Sequence, residues 1–387
     1  MNSTNTAPYL SMNFPGRLIF GNGSLDQLPS EIIAAGGNRI LFITIEPILP
    51  ALGGILDLLK SAGLEVFTDT SIIKEPSFHD FESLMFKIRD LAPNMVIGIG
   101  GGSVLDIAKL VAAQLDNRQS LKEITGIGLL KGRKIKLICI PGTSGTGSEV
   151  SPNAILIDES DDQKKGIISP YLVPDVVIVD PLLTKNLPPE ITAATGIDAL
   201  THCMEAYTNR FAQPFIDMYA YEGMRLIAAN LVTVVKNGND ENARAQMAMG
   251  SLLGGFCLGP VNTAGVHALS YPLGSTFHLA HGLSNALLLP YVMEFNAVAA
   301  PSRYADVAVA LGCVKEKKNS DTAKNGVEKI RSLIAACGIP ARLSDVGIPI
   351  EALPVMANDA LKIQRLLKNN PRHISEKDAL HIYNQAY

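Results

Sequence analysis

Met95-Val-Ile-Gly-Ile-Gly100-Gly-Gly-Ser-Val-Leu-Asp106-Ile-Ala-Lys109 packs a strand, a glycine turn and the start of a helix into one short run. Met95–Ile99 has the β-branched, apolar content of a buried strand, and the residues after Ser103 have helical spacing. Gly98, Gly100, Gly101 and Gly102 let backbone N–H groups approach an anion, which a helix N-terminus attracts through its dipole and its unpaired donors. Ser103 adds a cap or a further donor. A tight strand-to-helix turn with no ligand would use the same glycines. The run is not the GxGxxG fingerprint at a first strand, so that motif lends no support.

Outward from this run, short β-rich segments alternate with amphipathic or alanine-rich ones from about residue 16 to 180, the pattern of βαβ units around a parallel sheet. Strands are predicted at Arg39–Ile45, Glu65–Phe67, Met95–Ile99, Leu137–Ile140 and Val176–Val179, and helices at Ile55–Ala62, His79–Leu91 and Val104–Leu115. After Asp180-Pro181 and the Asn186-Leu-Pro-Pro-Glu190 punctuation, long helical patterns run to Tyr387, among them Ala193–Asn209, Phe215–Val235, Ala243–Leu258 and Asn285–Ala300. The expected architecture is an α/β dinucleotide-binding domain with a parallel sheet over residues 1–185, followed by an all-helical domain over 186–387. The charged stretch Lys315–Ser320 reads as a solvated loop or helix end.

Two further segments carry chemistry. Pro141-Gly-Thr143-Ser144-Gly-Thr146-Gly-Ser148-Glu149-Val150 follows the strand Leu137–Ile140 and places four hydroxyls and three glycines within seven residues. Such a loop is either a simple turn or a set of donors for phosphate and ribose, and two glycine loops at the ends of two strands define one crevice. Asp198 and His202 stand four apart on one helical face, a spacing that also arises in ordinary hydrogen-bonded pairs. His267 and His281 lie in apolar, glycine-rich surroundings. Three imidazoles and one carboxylate suit Fe(II), Zn(II), Mn(II) or Co(II) rather than Mg(II) or Ca(II), which prefer oxygen shells.

Composition narrows the partners. The chain of 387 residues is 47% hydrophobic and 18% charged with a net charge of -4, which points to a globular body and away from nucleic acid or an anionic membrane surface. Its length favours two domains. The five cysteines form no CxxC pair, and Met1–Phe14 lacks a basic segment followed by an apolar one, so a reducing cytoplasmic setting without export is expected. No window is apolar enough to span a membrane.

Taken together, GGGSxxDxAK at Gly100–Lys109, PxTxGTGSEV at Pro141–Val150, TGxDALTH at Thr195–His202 and the pair His267 and His281 resemble the iron-containing (group III) alcohol dehydrogenase family over nearly the whole chain. The resemblance implies hydride transfer between NAD or NADP and a small alcohol, aldehyde or ketone. It makes Asp198, His202, His267 and His281 ligands of Fe(II), with Zn(II) as the other candidate, and sets His281 near the nicotinamide. Gly101, Gly102 and Ser103 would hold the pyrophosphate, with Asp106 in the same run. Thr143, Ser144, Thr146 and Asn153 would line the cofactor cleft. Lys165, in a turn before Pro170, corresponds to a lysine near the ribose, with Lys164 as the alternative one residue away. A homodimer is expected.

Two departures stand out. Many members close their second strand with Thr-Asp, whose carboxylate binds the ribose hydroxyls; here Ile43-Thr44-Ile45-Glu46 leaves NAD and NADP open. A family histidine four residues after the third ligand is replaced by Tyr271, so proton transfer falls to Tyr271, His278 or water. Rival readings are a zinc polyol dehydrogenase or a dehydroquinate synthase-like enzyme, against which His202 and the aspartate at 198 argue, and an NAD-binding regulatory protein without catalysis.

Overall fold

A computed structural model of the chain describes residues 10–161 and 163–387; the first nine residues of the polar N-terminal stretch lie outside these. Six strands, all parallel, form the central sheet in the order β1-β9-β6-β4-β2-β3. They are β1 (Arg17–Phe20), β2 (Arg39–Ile43), β3 (Glu65–Asp69), β4 (Met95–Gly100), β6 (Lys136–Pro141) and β9 (Val176–Val179). In β4, Met95, Ile97 and Ile99 face α1 (Leu28–Ala34) and α2 (Leu49–Ser61), while Val96 faces α3 (Phe78–Ile88) and α4 (Gly102–Gln114). Burial on both faces is why these strands read as unbroken apolar runs. The helix expected from Ile55 begins at Leu49 instead, because Pro50 occupies the first turn, where its missing N–H is no loss.

A smaller sheet was not foreseen. After a short α5 (Leu121–Ile124), β5 (Gly126–Ile127) pairs in parallel with β8 (Gln163–Ile168), which forms an antiparallel hairpin with β7 (Asn153–Asp158). Gln163-Lys-Lys-Gly166 is too polar to look like a strand, yet burial alternates along it, with Lys164 inward and Lys165 half exposed. The expected turn around Lys165 is therefore a strand.

No strand follows Val179 among the described residues. The helical half comprises α6 (Pro189–Thr208), α7 (Pro214–Lys236), α8 (Glu241–Cys257), α9 (Gly265–Phe277), α10 (His281–Ala297), α11 (Pro301–Ala310), α12 (Asn319–Ala336), α13 (Leu353–Leu361), α14 (Gln364–Leu367) and α15 (Glu376–Ala386). Prolines open α6, α7 and α11, positions where a fixed φ favours helix entry. One apolar core joins α6 to α15, and α6 runs through its middle with Ile197, Leu200 and Cys203 fully buried. No helix among the described residues is long and apolar enough to cross a membrane. The five cysteines are unpaired, and all but Cys313 are buried.

Candidate metal and dinucleotide site

The pairing of β4 with β6 sets the two glycine loops side by side. Gly100 is opposite Pro141, and the Gly142 N–H donates to the Gly100 carbonyl at 2.7 Å. Gly101 is extended and α4 begins at Gly102, so the first N–H groups of the helix open onto the cleft. A Cβ on Gly102 would stand 2.7 Å from Thr146 Cγ2, so a larger residue there would have to displace the Thr146 side chain. Gly102, Ser103, Thr146 and Asn153 line the cleft, and the buried Asn153 Oδ1 has no hydrogen-bond partner there. Thr143 packs beside Gly101, and Ser144 is buried within its loop.

Asp106 also borders the cleft, but its carboxylate is already engaged. It accepts from Ser148 Oγ at 2.5 Å and from the Ile155 N–H at 2.9 Å, and the fully buried Lys109 ammonium stands 3.2 Å away. Asp106 therefore ties α4 to the second loop and to β7 rather than presenting a free carboxylate to a cofactor. Lys165 is not among the residues lining this cleft, and its ammonium pairs with Asp161 beside the hairpin turn. Its neighbour Lys164 turns into the cleft and meets Glu75 at 2.7 Å.

Across the cleft, α6 supplies Asp198 and His202, α9 supplies His267 and the first residue of α10 supplies His281. One ligand atom from each lies within 4.8 Å of the others. Asp198 Oδ1 stands 3.8, 3.5 and 3.6 Å from the Nε2 atoms of His202, His267 and His281, close to the edges of a tetrahedron around a cation with ligand bonds of about 2.0–2.2 Å. The other ring nitrogens of two histidines have partners of their own. His267 Nδ1 bonds Glu205 Oε2 at 2.7 Å, and His202 Nδ1 points to the Gly145 carbonyl at 3.3 Å, so Nε2 is the ring nitrogen of each that is left to face a cation. Asn285 Nδ2 donates to Asp198 Oδ1 at 2.7 Å while its buried Oδ1 has no partner. Acceptors converging on one point, with a lone amide donor among them, fit a divalent cation.

Burial works against charge throughout this cluster, and the neighbours decide each outcome. The three imidazoles hold the Asp198 carboxyl well below the usual carboxylate range despite burial. Burial lowers His202 and His281. At His267 burial is outweighed by Glu205 and Asp198, which carry the imidazole up to about 10.

Glu205 escaped the sequence reading. It accepts from the Ala264 and Val266 N–H groups as well as from His267, so a single carboxylate caps the start of α9 and orients a candidate ligand. The signal was its position: an acid in an apolar helix, one turn after His202 and on the same face. Asn285, four residues after His281, carried a similar signal. Tyr271 reaches the cleft with its ring 6.3 Å from that of His281, whereas His278 ends α9 in a left-handed conformation and is exposed away from the cleft.

This arrangement has relatives. Residues 15–181 match the model of the family described as iron-containing alcohol dehydrogenase, and residues 192–387 match that of the C-terminal part of the Fe-containing alcohol dehydrogenase family. Long-chain-alcohol dehydrogenase 1 of Geobacillus thermodenitrificans is 41% identical over 97% of this chain and 96% of its own. A crystal structure of 1,3-propanediol oxidoreductase superposes with a TM-score of 0.94 at 32% identity, covering 98% of this chain and all of that one. Sulfoacetaldehyde reductase from Bifidobacterium kashiwanohense, solved in complex with NAD+, superposes at 0.86 with 26% identity over 98% of this chain and 99% of its own. With sequence, fold and full-length coverage in agreement, the chain belongs to the iron-containing alcohol dehydrogenase family, enzymes that act on CH–OH groups.

Proposed function

We propose that the protein interconverts an alcohol with its aldehyde or ketone using NAD(P), with one divalent cation held by Asp198, His202, His267 and His281. Iron is the first candidate and zinc the second. The observation that carries this reading is the convergence of those four ligand atoms within 4.8 Å, facing two glycine loops across one cleft. We divide the chain at residue 185 into a cofactor domain and a metal and substrate domain.

When bound, the cation supplies Lewis-acid polarisation of the carbonyl and the nicotinamide supplies the hydride. The protein's own residues do the rest. Backbone N–H groups of Gly101, Gly102 and Ser103 bind the pyrophosphate at the start of α4, Thr143, Ser144, Thr146 and Asn153 line the cofactor's path, and Lys164 faces the ribose. Glu205 and the Gly145 carbonyl engage Nδ1 of His267 and His202 and so turn their Nε2 atoms toward the cation. His281, with 27% of its side chain exposed, forms the wall between cofactor and substrate. Ile155, Ile168 and Leu258 keep the substrate chamber apolar, and Tyr271 holds a proton at its hydroxyl.

Metal analysis and NADH-dependent aldehyde reduction test the assignment. His267→Ala and His281→Ala should lose the cation and turnover together, and wild-type metal content in either would overturn it. Tyr271→Phe should keep the cation and lower kcat by about 10- to 100-fold at most.

Ile45 follows β2 without a carboxylate, and Glu46 is engaged by the Thr70 hydroxyl at 2.7 Å, so NADPH should serve beside NADH. Ile45→Asp should shift preference towards NADH, and a strict NADH enzyme indifferent to that change would refute the idea. The apolar edge of the sheet at β1, where Leu18 is 40% exposed, supports a homodimer, which light scattering would detect. The buried, unpaired thiols accord with a cytoplasmic location, checked by fractionation.

A further inference from the structure

Arg365 is the cation in the substrate chamber that the reaction above leaves without a task. It lies in α14, half-buried, and borders the same cleft as the four candidate ligands. Its Nη2 donates to the Tyr271 hydroxyl at 2.8 Å, and its Cζ stands 5.7 Å from the Tyr271 ring centroid. On its other side the guanidinium lies over Gly166 of β8, where a Cβ would come within 3.6 Å of Cζ. Tyr271 and Gly166 thus hold the fork in place, and the tyrosine oxygen takes one of its five N–H donors.

The neighbouring charges leave Arg365 uncompensated. Lys164, the other ammonium or guanidinium group bordering the cleft, is neutralised by Glu75 at 2.7 Å, and Asp106 is consumed by Ser148, Ile155 and Lys109. Among the described residues no carboxylate lies within ion-pair reach of Arg365. A half-buried guanidinium without a counter-charge is costly unless an oxyanion meets it, and its planar fork matches a carboxylate. Ile155, Ile168 and Leu258 line the same space and suit a short methylene chain.

We infer that Arg365 binds a carboxylate at the end of the substrate remote from the reacting carbon, so that the preferred substrates are short ω-oxo carboxylates and the matching ω-hydroxy carboxylates. The inference rests on the cleft being an alcohol dehydrogenase site and adds the class of molecule it takes.

The test is kcat/KM for a short series of ω-oxo carboxylates and for n-alkanals of matching length, in wild type, Arg365→Met and Arg365→Lys, with metal content and melting temperature measured for each. Calorimetric binding of ω-hydroxy carboxylates to the protein saturated with NAD gives a readout independent of turnover. Wild type should favour the charged series. Arg365→Met should lose about 10- to 100-fold on it, the range of a hydrogen bond to a charged group, beyond whatever loss it shares with n-alkanals through the Tyr271 contact. Arg365→Lys should fall between, because the charge remains and the fork is lost. Equal losses on both series, or a wild-type preference for n-alkanals, would overturn the carboxylate subsite and leave the dehydrogenase reading intact. Absence of turnover on both series with NAD still bound would overturn the substrate class, and absence of NAD binding as well would count against the dehydrogenase reading itself.

Discussion

On the α/β side of the cleft the chain offers mainly backbone: the first turn of α4, the Gly100 and Gly142 pair, and Gly102 pressed against Thr146. On the helical side it offers titratable side chains, three of them buried and oriented by a partner: His267 by Glu205, His202 by the Gly145 carbonyl, Asp198 by Asn285. The first wall depends on what is missing, since a Cβ at Gly102 or Gly147 would press on the facing segment. The second depends on what is present, since any lost group leaves another unsatisfied. Substitutions should therefore fail by overlap on one side and by broken electrostatics on the other.

The largest expected effect is on the helical side. Asp198→Ala removes the only carboxylate among the four candidate ligands, so metal analysis should find the cation gone and aldehyde reduction should fall by about 1,000-fold or more. A metal-loaded, active variant would break the contrast between the walls.

Gly147 probes the other side. It has φ +61, and a Cβ there would stand 2.3 Å from Gly255 Cα, where the second loop meets α8. Gly147→Ala should cost roughly 2–4 kcal/mol in thermal unfolding through overlap and an unfavourable left-handed φ. A melting temperature equal to wild type would show that the loop can move away from α8.

Glu149 sharpens the comparison, because it is a buried acid on the backbone-built wall. Burial pushes its carboxyl up from 4.5 to about 7, against the nearby Lys109. A folded pKa above the unfolded one means that its contribution is fully present below about 4.5 and is lost as pH rises through 7. Glu149→Gln, neutral throughout, should match wild type near the acid end. Above that window it should be more stable by up to roughly 3 kcal/mol, read from denaturant melts at the two ends. Parallel pH profiles for the two proteins would contradict a buried, proton-holding Glu149.

The smallest effect concerns a residue one step removed from the cation. Glu205→Gln should weaken metal affinity about 10- to 100-fold in a chelator competition, through loss of the fixed His267 tautomer, while the helical core stays folded. Unchanged affinity would mean that the α9 N–H groups are the only real partners of Glu205.

The sequence by itself determined the alternation of the N-terminal half, five of the six strands of the main sheet, both glycine loops and the four residues that converge across from them. Those features have local signatures: apolar runs bounded by glycine, and a helical spacing that puts Asp198 and His202 on one face. Tertiary structure alone decided the rest. In β8 the side chains alternate faces, so one residue of register separates Lys164 in the cleft from Lys165 beside Asp161, and a polar strand offers no apolar pattern to set that register. Asp106 looked free until Ser148 and Ile155, more than forty residues on, took both its oxygens. Glu205 gained its role from N–H groups about sixty residues away, and Arg365 reaches Tyr271 across 94 residues of chain. Such contacts depend on which surfaces meet when the helices pack, and local propensity carries no record of that meeting.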